Sequence, residues 1–106
     1  MARYVMLAFS GPTDGPGDAE ALEHWYETVH LPEMLADEEV VSARRYEVVS
    51  GAPPGVECPY VSIYEMDTDD MEALTQRQLR NMSGFHPALD RSSTVNILTV
   101  KVSGED

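Results

Sequence analysis

The sequence predicts an α+β domain in which a four-stranded antiparallel sheet carries two helices on one face. Three observations point there. Four short runs rich in β-branched and aromatic residues alternate with two amphipathic stretches in the order β-α-β-β-α-β. The two middle runs are separated by a loop whose Pro-Pro-Gly is the strongest turn signal in the chain, which predicts a long-looped hairpin. The composition, 42% hydrophobic and 25% charged over 106 residues, provides a core for one domain.

Arg3–Ser10, RYVMLAFS, is too short for an independent helix, and its Tyr, Val and Phe favour strand. Gly11-Pro12 closes it, and GPTDGPG, ending at Gly17, is a loop. Asp18 stands at the N-cap of a first helix. Leu22, Trp25, Tyr26 and Val29 then recur at i, i+3, i+4 and i+7, a stripe that faces the sheet. Pro32 ends or bends this helix near His30 and Leu31, because proline lacks the N–H donor and disfavours helical geometry at the residue before it. Val40–Val49 is the second strand, Tyr60–Met66 the third, and GAPPGVECP the loop of their hairpin. Asp67-Thr68-Asp69-Asp70 offers caps and negative charge to a second helix whose apolar face is Met71, Leu74 and Gln78 or Leu79. Asn81–Asp90 is irregular, and Ser93–Val102 is the last strand. This order is the split arrangement of the ferredoxin-like fold.

Alternation along a strand divides side chains between the two faces of a sheet. Val5, Leu7 and Phe9 make an apolar side expected to meet the helices, with Val61 and Ile63 beside them. That leaves Tyr4, Met6, Ala8, Tyr60, Ser62 and Tyr64 on the open face, a mixture suited to a homodimer that encloses a pocket. A chain of this size buries only about two-thirds of its unfolded surface alone, which favours a second copy.

The 7 Lys and Arg against 19 Asp and Glu leave a net charge of −12. Nucleic acid and anionic membranes, which bind through basic side chains, are excluded as partners. No apolar run approaches the roughly 20 residues that span a bilayer, and the start has no signal-peptide core, so a cytoplasmic location is expected. Cys58, the single cysteine, reads as a structural thiol. The acidic clusters at 37–39 and 67–70 lack the ligand spacing and glycine of a calcium loop, so no metal site is expected. No Walker or dinucleotide motif is present, and nothing beyond a histidine near a pocket argues for haem. The expectation is a protein without a cofactor.

The run His24-Trp25-Tyr26-Glu27-Thr28-Val29-His30-Leu31-Pro32 resembles the tryptophan and His-x-Pro signature on the first helix of EthD-like proteins. Ser42-Ala43-Arg44-Arg45-Tyr46 resembles the basic and aromatic second strand of the same group. The resemblance implies a dimeric α/β barrel, two ferredoxin-like sheets packed face to face with one pocket per subunit. It also implies a range of activities: cofactor-free monooxygenases acting on quinols, muconolactone-type isomerases, polyketide cyclases, some decarboxylases and dehydratases, haem-degrading proteins, and members with no known activity. Fold does not choose among them. On the family pattern His30 is the residue expected to reach the pocket, Phe85-His86-Pro87-Ala88 looks like a segment that closes the barrel mouth in related cyclases, and Tyr60 lies where such cyclases can carry a pocket tyrosine. The extra strand-borne histidines of those cyclases are absent.

His30 also has a case from its own chemistry. A histidine at a helix break beside a pocket exchanges a proton near neutrality, and the alternative is that it caps free helix carbonyls. His24 points to another face of the helix and reads as a surface residue. His86 is either a lid residue or an exposed loop histidine. Tyr60 and Tyr64 either donate to a substrate oxygen or satisfy their hydroxyls on backbone in a dimer core. Trp25 is core packing or a pocket wall. Arg44 and Arg45 are adjacent, so each takes one face, with Tyr46 on the face of Arg44. An inward arginine attracts a carboxylate or enolate, or pairs with one of the acids.

These residues suggest a homodimeric, cofactor-independent enzyme performing isomerisation, cyclisation or elimination on a small cyclic or polyketide-like substrate of hydrophobic or aromatic character. His30 is the acid-base group, with Tyr60, Tyr64 or His86 holding the oxygen on which charge develops. Tyr4, Trp25, Arg44, Tyr46 and Tyr64 are the candidate substrate contacts. The alternatives are a cofactor-free monooxygenase on a phenol or quinol, and a non-catalytic ligand-binding or accessory dimer.

Overall fold

Strands β1 (Ala2–Ser10), β2 (Val40–Glu47), β3 (Tyr60–Thr68) and β4 (Val95–Val100) form one sheet in the order β2-β3-β1-β4. Every neighbouring pair is antiparallel. The computed structural model describes residues 2–105. With helices after β1 and β3, this order is the ferredoxin-like arrangement. The β2–β3 hairpin forms as expected, and Val48 N–H still reaches the Pro59 carbonyl at 2.8 Å beyond the end of β2.

The first helical region runs further than the sequence suggests. Helix α1 (Asp18–Trp25) passes into a π-helical turn, Tyr26–His30, and then into α2 (Leu31–Leu35). Pro32 bends the hydrogen-bond pattern without stopping the helix: Leu31 N–H donates to the Tyr26 carbonyl five residues back. The extra residue in the turn relieves the clash that a proline ring makes with the carbonyl four residues before it. Asp18 is the first helical residue and not the cap. Gly17 takes the cap position in a left-handed conformation, φ 79°, while the Asp18 carboxylate accepts from Gly15 N–H at 3.0 Å and from the Thr13 hydroxyl. Helix α3 (Met71–Asn81) is capped as expected, Asp70 accepting from Ala73 N–H at 3.0 Å. Arg77 ties α3 to the turn before β2, donating to Asp37 at 2.8 Å and pairing with Glu39.

The two sheet faces are the reverse of the expectation. Tyr4, Met6 and Ala8 of β1, with Tyr64 and Met66 of β3, pack beneath the helices against Met34, Met71 and Leu74. The other apolar set, Leu7, Phe9, Val61, Ile63 and Val95, clusters on the opposite face, where the 50–59 loop covers part of it through Val56 and Cys58. Two side-chain contacts explain the choice. Ser10, on the same side of β1 as Ala8, bonds to the Tyr26 hydroxyl at 3.0 Å and draws the first helix onto that face. Arg3 pairs on the opposite side with Glu65 and Asp67, charges that a helix layer would desolvate.

Cys58 is buried, and its thiol donates to the Ser93 carbonyl at 3.0 Å, so it serves packing. Gly11 is needed where the 11–17 loop crosses Pro59, since a Cβ there would meet Pro59 Cδ at 2.7 Å. Thr13 N–H to the Ala88 carbonyl at 2.8 Å and Asp90 N–H to the Gly11 carbonyl at 3.0 Å join this loop to the segment after α3. No helix among the described residues is long and apolar enough to cross a membrane.

Candidate functional site

The π turn decides where His30 points. It places the ring in the layer between helices and sheet, 7% exposed, on the wall of a cavity of about 540 Å³. Four aromatic rings surround it. Trp25 stacks on one face with centroids 4.7 Å apart, and Tyr26 and Tyr64 present edges at 5.4 and 6.2 Å. Phe85, from the loop after α3, stands 6.2 Å away on the cavity side. The imidazole Nδ1 is buried without a hydrogen-bond partner, so it is not capping helix carbonyls. Burial holds the His30 pKa below its ordinary value, against the opposing pull of the Glu33 carboxylate. The ring is therefore neutral at pH 7 and able to accept a proton.

Tyr64 comes from the central strand β3 and is 1% exposed. Burial pushes its phenol above the usual range, while the nearby Arg45 charge works the other way. It stays a neutral hydroxyl donor at any physiological pH. Ala8 and Ser10 are small, and the helices bridge over them. The space that remains is lined by Met6, Met34, Met82 and Phe85 together with Tyr26 and Tyr64. A mostly apolar hollow with a few convergent polar groups is the usual form of a small-molecule site.

The structure thus brings His30 and Tyr64 to one cavity, with Trp25 as the stacking support behind the histidine. His86 stays outside the lining. Its Nδ1 accepts from Ala88 N–H at 3.0 Å, a turn contact, with its ring 6.3 Å from that of Trp25. Tyr60 shares the sheet face of Tyr64 but lies beneath the Arg45 guanidinium, 4.0 Å from its ring centre, and not on the cavity wall. Tyr4 packs in the core against the Met34 and Met66 cluster. Arg44 and Tyr46 project from the other face, opposite Ile63 and Val61, away from His30. Alternation puts Arg45 inward instead, above both Tyr26 and Tyr60, with its Nε buried and unpartnered. His24 is exposed, as expected.

Tyr26, Ser10 and Arg91 line the cavity without having been expected there, and Phe85, expected only as part of a segment closing the barrel mouth, lines it as well. Tyr26 looked like one more apolar position of the helix stripe. Its partner Ser10 carried a signal, a hydroxyl on the same parity as Ala8, that the reversed face assignment hid. Among the described residues no three His, Cys, Asp or Glu side chains are grouped to hold a metal ion.

No protein-family model matches the chain, and a search of curated proteins finds no match either. Among solved structures it is similar to a dimeric ferredoxin-like protein of unknown function from Thermobifida fusca. That likeness has a TM-score of 0.55 at 14% identity and covers 94% of this chain and 92% of the other. The chain is a ferredoxin-like α+β domain with a cavity between its sheet and its helices.

Proposed function

We propose that this protein is a small, cofactor-independent enzyme that performs acid-base chemistry on a cyclic or polyketide-like substrate held in the cavity. The observation that carries this reading is His30: a buried, neutral imidazole with an unpartnered Nδ1 on a π turn beside an unfilled apolar hollow. Holding such a group out of water without a partner costs stability, and π turns recur at functional sites. His30 takes a proton from an activated carbon or hydroxyl of the substrate. Tyr64, with Tyr26 beside it, donates to the oxygen on which charge develops. Isomerisation, cyclisation and elimination all begin with that step.

EthD-like membership within the dimeric α/β barrels and a homodimeric state belong to the same reading. Support comes from the His-Leu-Pro motif at the π turn, from the half-exposed aliphatic face of Leu7, Ile63 and Ile97, and from the dimeric description of the similar structure. A second sheet packed on that face removes apolar surface from water without touching the cavity.

The test follows solvent deuterium entering acidic C–H positions of a panel of cyclic 1,3-diketones and β-keto acids, read by NMR. Wild type is expected to accelerate exchange for part of the panel, and His30→Gln to slow it by about 10²- to 10⁴-fold with an unchanged urea midpoint at about pH 7.5. No acceleration by wild type, or full activity in His30→Gln, sinks the acid-base reading. Oxygen uptake with a phenol or quinol panel would mark the cofactor-free monooxygenase instead.

A further inference from the structure

We propose that the cavity selects amphipathic anions, an apolar or aromatic body carrying one carboxylate, and that Arg91 is the residue that selects them. This inference rests on the cavity being the binding site.

The charge pattern carries the argument. The chain has 19 Asp and Glu against 7 Lys and Arg, so a surface chosen at random is acidic. Among the described residues the cavity lining reverses this: it contains Arg91 and no carboxylate. Arg91 also has no ion-pair partner among the described residues, whereas Arg3 and Arg77 are each paired with two acids. Its guanidinium instead lies over the Phe85 ring, 4.8 Å from the centre. Both side chains are exposed, so they stand where the cavity meets solvent.

Stacking on Phe85 holds the guanidinium plane while leaving its N–H edge free to bind a planar anion. The methionines of the lining, Met6, Met34 and Met82, accept apolar groups of varied outline. A ligand suited to both ends places its ring system among the methionines, within reach of His30, and its carboxylate at Arg91. Repulsion from the remaining acidic surface raises the importance of this one cation, because an anion finds compensation for its charge nowhere else along the lining. Arg91 thus has the role the sequence suggested for Arg44, which lies on the other sheet face.

The experiment compares two matched probes, 2-naphthoate and its neutral analogue 2-naphthamide, by calorimetry and by Trp25 fluorescence at low and high salt. Wild type is expected to bind the naphthoate about tenfold tighter, a preference that shrinks as salt rises. Arg91→Gln is expected to lose about tenfold in naphthoate affinity and leave naphthamide affinity unchanged, with Arg91→Lys in between. Equal affinity of wild type for the two probes, or an equal loss of both in Arg91→Gln, overturns the inference and leaves the cavity a binding site. Binding of neither probe at millimolar concentration overturns the cavity reading along with it.

Discussion

Trp25 lies flat against His30, ring planes 14° from parallel and centroids 4.7 Å apart. In a regular α-helix two residues five apart point about 140° away from each other, so these rings could not stack. The π turn widens the helix by one residue at this place and brings the two side chains onto one side. The same turn that accommodates Pro32 therefore builds the histidine's support and points the ring at the cavity.

Trp25 is the single tryptophan, so its fluorescence reports His30 directly. A protonated imidazole stacked on indole quenches it. Emission is expected to fall on acidification with a midpoint below the ordinary histidine value near 6.5, and to be flat over that range in His30→Gln. A midpoint at or above 6.5 would show that burial does not govern this group.

The same shift makes stability depend on pH. With the folded pKa lowered, the unfolded chain binds the proton more readily, so this contribution to stability is complete above about pH 6.5. It is lost as pH falls from there to the folded pKa. Urea midpoints measured from pH 7.5 downward should therefore drop more steeply for wild type than for His30→Gln. Parallel curves would count against the assignment.

Ser10 and Tyr26 hold the first helix to the sheet through their 3.0 Å buried hydrogen bond. Tyr26→Phe leaves the Ser10 hydroxyl without its partner and is expected to cost about 1 to 3 kcal/mol in chemical denaturation. In the double variant with Ser10→Ala the loss should shrink, because both polar groups are gone. Additive losses would mean that the two hydroxyls do not interact.

Leu74 is the buried residue of α3, fully enclosed against Tyr64 and Met66. Leu74→Ala is expected to cost about 2 to 5 kcal/mol, as lost apolar burial plus the cavity left behind. A loss below 1 kcal/mol would show α3 to be weakly docked on the sheet.

Ile97 sits opposite Leu7 on the face without helices and is 39% exposed. Ile97→Lys is expected to convert a dimer to a monomer in sedimentation velocity while leaving the far-ultraviolet dichroism unchanged. An unaltered sedimentation coefficient would place the contact between copies elsewhere.

Much of the fold is legible in the chain because it follows from local chemistry. The hairpin turn at Pro53-Pro54-Gly55, the Asp70 cap and the apolar spacing of Leu22, Trp25 and Tyr26 depend on neighbours a few residues away. The site was legible in part. A histidine two residues before a proline marks a disturbed helix, and Trp25 and Tyr64 could be named beside it, but a π turn and an ended helix share that signature.

What the sequence by itself determined is the order of elements, the helix irregularity at His30-Leu31-Pro32 and the acidity that singles out the few cations. Which sheet face lies under the helices was decided only by tertiary structure. Strand alternation sorts side chains into two sets and is indifferent to which set goes inside. The choice falls to contacts between distant segments, Ser10 with Tyr26 on one face and Arg3 with Glu65 on the other. That choice in turn sends Arg45 inward and Arg44 outward, and it puts Met6, Ala8 and Tyr64 around the cavity. Arg91 reaches the same cavity from a loop whose path no local pattern specifies.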